Sequence, residues 1–215
     1  MLRVKTCCIG SIREAQLAVQ YGADALGLVG PMPSGPGTLT DAEIAAIVPQ
    51  VPPPVATFLL SSETRAADII EHHSRVHTNT LQLVDAIADD AYHALRAALP
   101  SVKIVQVVHV TGAEAVDEAL RIAPVVDALL LDSGNPNLSV KQLGGTGRTH
   151  DWQLSRRIVD QSDTPVFLAG GLNAENVRRA IAEVQPYGLD LCSGIRTDGK
   201  LDERKLAGFF RAVGR

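Results

Sequence analysis

Eight short apolar runs, each followed by a segment with helical periodicity, predict a closed (β/α)8 TIM barrel for this 215-residue chain. The units recur about every 27 residues with no break between them, so one domain is expected over residues 1–215. A doubly wound open sheet fits less well. It usually has fewer units, and its GxGxxG turn is absent after Cys8.

The elements are read in order. Leu2–Cys8 alternates, is rich in Val and Thr, and makes a first strand. Ser11 and Glu14 have capping-box spacing for a helix ending near Tyr21, with Gly22 at the C′ position. Asp24–Val29 is the second strand. Residues 30–37, Gly-Pro-Met-Pro-Ser-Gly-Pro-Gly, suit neither helix nor central strand and form a long loop, fit for a lid or an interface. Thr40 and Glu43 make a second capping box, opening a helix to about Gln50. Strands three to five are expected at Pro54–Leu60, Thr80–Val84 and Val102–Val108, with helices over Ser61–His73, Asp89–Ala98 and Ala113–Ile122. Val125–Leu131 and Trp152–Asp160 are the sixth strand and helix. Pro165–Ala169, a helix capped by Asn173 and reaching about Val184, the strand Gly188–Cys192 and a helix over Asp202–Val213 complete the set.

A formal charge of −4 and a pI near 5.8, with no basic run, argue against a nucleic-acid or anionic-membrane surface. No apolar run approaches the roughly 20 residues that span a bilayer, and the first residues lack a signal-peptide core. The cysteines are Cys7, Cys8 and Cys192, without CxxC spacing, so no zinc site is expected. Neighbouring Cα atoms lie about 3.8 Å apart, too close for an ordinary disulfide between Cys7 and Cys8. A reducing cytoplasm fits that pattern best.

Chemistry in this architecture sits at the carboxyl ends of the strands, where Cys7, Asp132, Gly170–Gly171 and Ser193–Gly194 fall. Leu129-Leu130-Leu131-Asp132 delivers a carboxylate to the mouth. The glycine-dense Gly144-Gly145-Thr146-Gly147 beyond it can bring backbone N–H groups to an anion. Loops after strands seven and eight are the recurring phosphate site of such barrels, so a phosphorylated small molecule is the expected ligand. Plainer roles stand beside these. Asp132 can cap its own loop, Asp190 can be a structural acceptor or a substrate contact, and Cys7 can fill space. As a general base, Cys7 would need its ordinary thiol pKa, near 8.5, lowered by neighbours. His72, His73, His77 and His93 are expected on solvated faces, His109 and His150 near the mouth, and Trp152 as a packing anchor.

Several segments together resemble the phosphoribosylanthranilate isomerase family of tryptophan biosynthesis. They are Val4-Lys5-Thr6-Cys7, Gly22-Ala23-Asp24-Ala25-Leu26-Gly27, Leu81-Gln82-Leu83, Leu130-Leu131-Asp132, and Gly144-Gly145-Thr146-Gly147 with Asp151-Trp152. Leu168-Ala169-Gly170-Gly171-Leu172-Asn173 with Glu175-Asn176-Val177, and Pro186-Tyr187-Gly188-Leu189-Asp190 with Ser193-Gly194, complete a resemblance over essentially the whole chain. It implies an Amadori rearrangement of a phosphoribosyl aminoaldose to an amino-ketose, without metal or organic cofactor. By the same resemblance Cys7 is the base that takes the C2 proton, and Asp132 is the acid that protonates the ring oxygen. Gly145, Thr146, Gly147, Gly170, Gly171, Ser193 and Gly194 hold the phosphate, and Asp190 lies near the sugar. Lys5, Gln82, His109 and Arg148 are further candidate substrate contacts. The expected protein is a cytoplasmic monomer or homodimer acting on a phosphorylated sugar.

The departures from that pattern cluster. Ser34-Gly35-Pro36-Gly37 lacks the family's arginine for the anthranilate carboxylate, and Val84 stands where a histidine is usual. Gln106 and His109 replace a lysine and an arginine, Cys8 a glycine and Arg196 an acid. Losing one charge-assisted contact costs roughly 1.5–3 kcal/mol. Either Arg148 or His109 compensates, or the substrate is another phosphorylated sugar; a non-catalytic phosphate-ligand binder is the third reading.

Overall fold

The computed structural model describes residues 2–136, 138, 141–145 and 147–215. Eight parallel strands close into one barrel in sequence order, with β1 pairing β8 to complete the ring. They are β1 (Arg3–Thr6), β2 (Ala25–Val29), β3 (Ala56–Ser61), β4 (Thr80–Leu83), β5 (Lys103–His109), β6 (Ala128–Asp132), β7 (Val166–Leu168) and β8 (Gly188–Leu191). The helices between them are α1 (Ile12–Gln20), α2 (Asp41–Ile47), α3 (Ala66–Val76), α4 (Asp89–Ala98), α5 (Glu114–Ile122), α6 (Trp152–Gln161) and α7 (Val177–Val184), with α8 (Glu203–Ala212) last.

Period-2 alternation divides the strand side chains between two cores. Val4, Leu26, Leu59, Leu81, Leu131 and Leu189 face outward and meet the helices. Ala25, Phe58, Val105, Leu130 and Phe167 fill the barrel, where the rings of Phe58 and Phe167 meet edge to face at 6.3 Å. The same parity turns Lys5 and Asp190 inward, opposite one another across the β1–β8 pairing. Polar residues reach the interior because they occupy core-facing positions of otherwise apolar strands.

Local chemistry sets the boundaries. Thr40 and Glu43 make a reciprocal capping box on α2. At α1 only half of the expected box forms. Ser11 accepts from the Glu14 N–H at 3.2 Å, but the Glu14 carboxylate turns to the N–H groups of Gly10 and Leu201 and to Arg196. Helix α3 starts at Ala66 rather than Ser61, because Ser61 ends β3 and its hydroxyl bonds Glu63. Helix α7 starts four residues beyond Asn173, whose side chain accepts from the N–H groups of Glu175 and Asn176 in the preceding turn. A two-stranded hairpin, β9 (Arg196–Thr197) and β10 (Lys200–Leu201), follows β8 and was not expected.

Two histidines correct the expectation of solvated faces. His72 is 1% and His73 6% exposed. His72 lies 2.9 Å from Glu63 and 3.1 Å from Asp41, while the His73 ring meets the Thr78 carbonyl at 2.7 Å. Burial is tolerated because partners come with it. Glu63 chiefly, with Asp41, holds the His72 pKa above its ordinary value. Trp152 is buried at the start of α6 under the Arg179 guanidinium, 4.9 Å from the ring centre. Among the described residues no helix is long and apolar enough to cross a membrane.

Candidate active site

The carboxyl ends of the strands open onto a single cleft, where ligands of this architecture bind. Cys7, Gln82, Asp132 and Asp190 line it. Gly144, Gly145, Gly147, Gly170, Gly171 and Ser193 make the glycine-rich part of its lining, and Val29, Met32, Leu60, Val107, Leu130 and Leu143 the apolar part.

Cys7 follows β1 directly, held by the bond from its N–H to the Leu191 carbonyl at 2.7 Å. It is a buried free thiol. Two residues earlier on the same face, Lys5 donates to Asp190 at 2.9 Å, with side chains 0% and 8% exposed. The thiol and the ammonium both crowd the α-carbon of Gly27. A β-carbon there would lie 2.7 Å from Cys7 Sγ and 2.9 Å from Lys5 Nζ, so only glycine fits.

Burial, reinforced by Asp190, pushes the Cys7 thiol up to about 11, with Lys5 pulling the other way. The lowered pKa that a resting general base would need is therefore not present: a pKa four units above neutrality leaves about one group in 10⁴ ionised at pH 7. Burial works against the Lys5 ammonium, yet Asp190 and Cys7 together raise its pKa, so the cation is retained. Asp132 is also shifted upward, by burial first, while the Ser133 N–H and His109 oppose. Its Oδ1 accepts from that N–H at 2.8 Å, and the glycine loop passes so close that a β-carbon on Gly144 would lie 3.1 Å from Oδ2. A carboxyl inclined to keep its proton and a protonated thiol beside a cation thus share one cleft.

The glycine side is made of backbone. Gly147, Gly170 and Gly171 have φ of +68°, +83° and +62°. A β-carbon on Gly171 would meet the Arg148 carbonyl carbon at 2.7 Å, and one on Gly147 would meet Ser193 Oγ at 3.5 Å. The loops after β6, β7 and β8 therefore touch one another, which is how backbone N–H groups are gathered around an anion. Gly194 packs against the Leu172 carbonyl beside this cradle and does not line the cleft. Thr146 lies outside the described residues.

Gln82 is 3% exposed with its Oε1 unpartnered, an acceptor positioned for a ligand's donor. Lys5 sits beneath the floor. His109, Arg148 and His150 are placed outside the cleft wall. His109 Nε2 meets the Val84 carbonyl at 3.0 Å. The Arg148 guanidinium donates to Gln142 at 2.8 Å. His150 turns to Ser155 on α6, and burial pushes its pKa down to about 4. Over the apolar side, Lys141 pairs with Asp85 just beyond β4, and its carbonyl accepts from the Ser34 hydroxyl of the 30–37 loop. Among the described residues no three His, Cys, Asp or Glu side chains converge as a metal set.

One feature escaped sequence reasoning: Cys8 and Cys192 form a disulfide. The signal was available, since each cysteine lies just past the end of β1 or β8, and a closed barrel makes those strands neighbours.

A family model described as N-(5′-phosphoribosyl)anthranilate isomerase matches residues 4–212. N-(5′-Phosphoribosyl)anthranilate isomerase 2 of Methanosarcina mazei is 35% identical, covering 97% of this chain and 92% of its own. The Nostoc punctiforme enzyme is 33% identical over 99% of both chains. A crystal structure of phosphoribosyl anthranilate isomerase with reduced 1-(o-carboxyphenylamino)-1-deoxyribulose 5-phosphate superposes over 100% of both chains, with a TM-score of 0.83 and 27% identity. A Thermotoga maritima structure of a dimeric phosphoribosylanthranilate isomerase, solved as mutually generated monomers, has a TM-score of 0.80 and 26% identity over 99% of this chain and 98% of its own. On its sequence, its barrel and the residues gathered at the barrel's mouth, the chain belongs to the N-(5′-phosphoribosyl)anthranilate isomerase family.

Proposed function

We propose that this protein isomerises N-(5′-phosphoribosyl)anthranilate to 1-(o-carboxyphenylamino)-1-deoxyribulose 5-phosphate by general acid–base catalysis. The observation that carries the proposal is one cleft holding Asp132 and Cys7 between a backbone anion cradle and an apolar wall. The glycine loops after β6, β7 and β8 take the phosphate, and the wall around Met32, Leu60 and Leu143 takes the aromatic ring. Asp132, with its raised pKa, gives a proton to the ring oxygen as the furanose opens to an iminium. That cation, together with the Lys5 ammonium, favours the Cys7 thiolate, which removes the C2 proton. The thiol's own proton leaves to solvent as the thiolate forms, and taking the C2 proton restores the thiol; the enolamine then gains a proton at C1 from solvent and gives its C2 hydroxyl proton back to Asp132 as it ketonises.

Following the loss of anthranilate fluorescence as the protein turns over phosphoribosylanthranilate, with the ketose product identified by mass and NMR, tests this reading. Rapid turnover is expected. No turnover, with other phosphosugars still raising the melting temperature, would assign the cleft to a different phosphorylated sugar or to a binder. We also place the enzyme in the cytoplasm, as a monomer or a homodimer; sedimentation decides the second point.

A further inference from the structure

We propose that the Cys8–Cys192 disulfide is a reversible redox site that sets the affinity of the phosphate end of the cleft. The inference rests on the phosphate reading given above.

Both cysteines line the cleft. The β1–β8 ladder ends at the bond from the Cys7 N–H to the Leu191 carbonyl, and the disulfide joins the very next residue on each side. Cys192 is followed at once by Ser193, the β8 contribution to the cradle. Cys8 is held in the left-handed region, φ 60°, which a non-glycine residue keeps only where its surroundings fix it. Two further contacts converge there. The Cys8 carbonyl accepts from the Arg196 guanidinium, and the 30–37 loop ends on Cys8, since a β-carbon on Gly37 would lie 2.9 Å from Cys8 Cβ. When the bond is broken, the two sulfurs move apart to van der Waals separation, and Ser193 moves relative to Gly147. The Arg196 bond survives, so reduction loosens the cradle without opening the barrel. Cys7 stays on the ladder, so the chemistry is little affected.

The chemical step balances with a dithiol as reductant. One thiolate of the dithiol attacks the sulfur of Cys192, the more exposed of the pair, and expels Cys8 as a thiolate. The second thiolate closes on the mixed disulfide and releases Cys192. Two electrons pass from the dithiol to the cystine, the dithiol becomes a disulfide, and its two protons end on Cys8 and Cys192.

The test equilibrates the intact enzyme anaerobically across ratios of reduced to oxidised dithiothreitol. At each ratio three quantities are measured: thiols after acid quench and denaturation, steady-state kinetics on phosphoribosylanthranilate, and calorimetric binding of inorganic phosphate. One free thiol is expected at the oxidising end and three at the reducing end. Across that transition the KM and the phosphate Kd rise several-fold together, while kcat barely moves. A Cys8→Ser/Cys192→Ser variant, which keeps Cys7, shows the reduced enzyme's affinity at every ratio. Three thiols at all ratios, or a thiol transition with no change in phosphate affinity, overturns the proposal. Loss of turnover in both states with the phosphate shift intact would remove the substrate assignment and leave the switch standing.

Discussion

On its β6–β8 side the cleft is lined by backbone, and on its β2–β5 side by side chains. The first side depends on Gly147, Gly170 and Gly171, each at positive φ and two of them pressed against neighbouring backbone or hydroxyl groups. The second depends on Val29, Met32, Leu60, Val107 and Gln82, with the Lys141–Asp85 pair tying the loop after β6 to it. A cradle of N–H groups persists as long as the turns do, whatever the neighbouring side chains are. A side-chain contact rests on the identity of one residue. Of the departures from the family pattern, those at residues 34–37, Val84, Gln106 and His109 fall in the β2–β5 half of the barrel, while Cys8 and Arg196 follow β1 and β8. Affinity should therefore come mainly from the phosphate, with the ring held by apolar burial rather than by a fixed cation.

The largest effects should come from the acid and the base between the two sides. Asp132→Asn and Cys7→Ala are each expected to lower kcat on phosphoribosylanthranilate by about 10²–10⁴-fold, with KM little changed. The pH dependence sharpens the assignment. The active form needs Asp132 protonated, which its upward shift by burial favours, and Cys7 ionised, although burial holds that thiol up at about 11. In the free enzyme kcat/KM should fall below the raised Asp132 pKa and again above about pH 11, with a plateau between. Removing the acid in Asp132→Asn leaves only the thiolate requirement, so residual activity should climb with pH through the plateau. A fall at neutral pH would contradict the raised thiol.

Lys5→Met comes next. It strands a buried Asp190 carboxylate, and an unfolding titration should show a loss of about 3–5 kcal/mol. Lys5→Met/Asp190→Leu should recover part of that stability without recovering activity, which separates the fold's need for the pair from the thiolate's need for the cation. Gly171→Ala forces a β-carbon toward the Arg148 backbone at φ +62°, a strain of about 1–3 kcal/mol. It should raise KM about tenfold or more. The smallest effect is expected on the other side. Lys141→Met removes a half-exposed partner worth about 0–1 kcal/mol and should change KM by less than about fivefold.

Much of this architecture was legible in the chain because it follows from repetition. Eight apolar runs alternating with capped helices leave few topologies, and the barrel rule then puts Asp132 and the glycine loops at one mouth. What was hidden depends on partners distant in sequence. His72 reads as a surface histidine until α2 and the β3–α3 turn bring Asp41 and Glu63 to its ring. Cys7 reads as a thiol awaiting activation until the barrel interior buries it beside Asp190. Cys8 and Cys192 lie 184 residues apart and become neighbours only when β1 closes on β8.

The central claim, an isomerase anchored by phosphate, is tested most directly by kcat/KM on three substrates: phosphoribosylanthranilate, its dephosphorylated form and its counterpart lacking the ring carboxylate. Losing the phosphate removes at least two charge-assisted hydrogen bonds at about 1.5–3 kcal/mol each and should cost roughly 10²–10⁴-fold or more. Losing the carboxylate should cost less than about tenfold. Equal penalties, or a larger one for the carboxylate, would contradict the account.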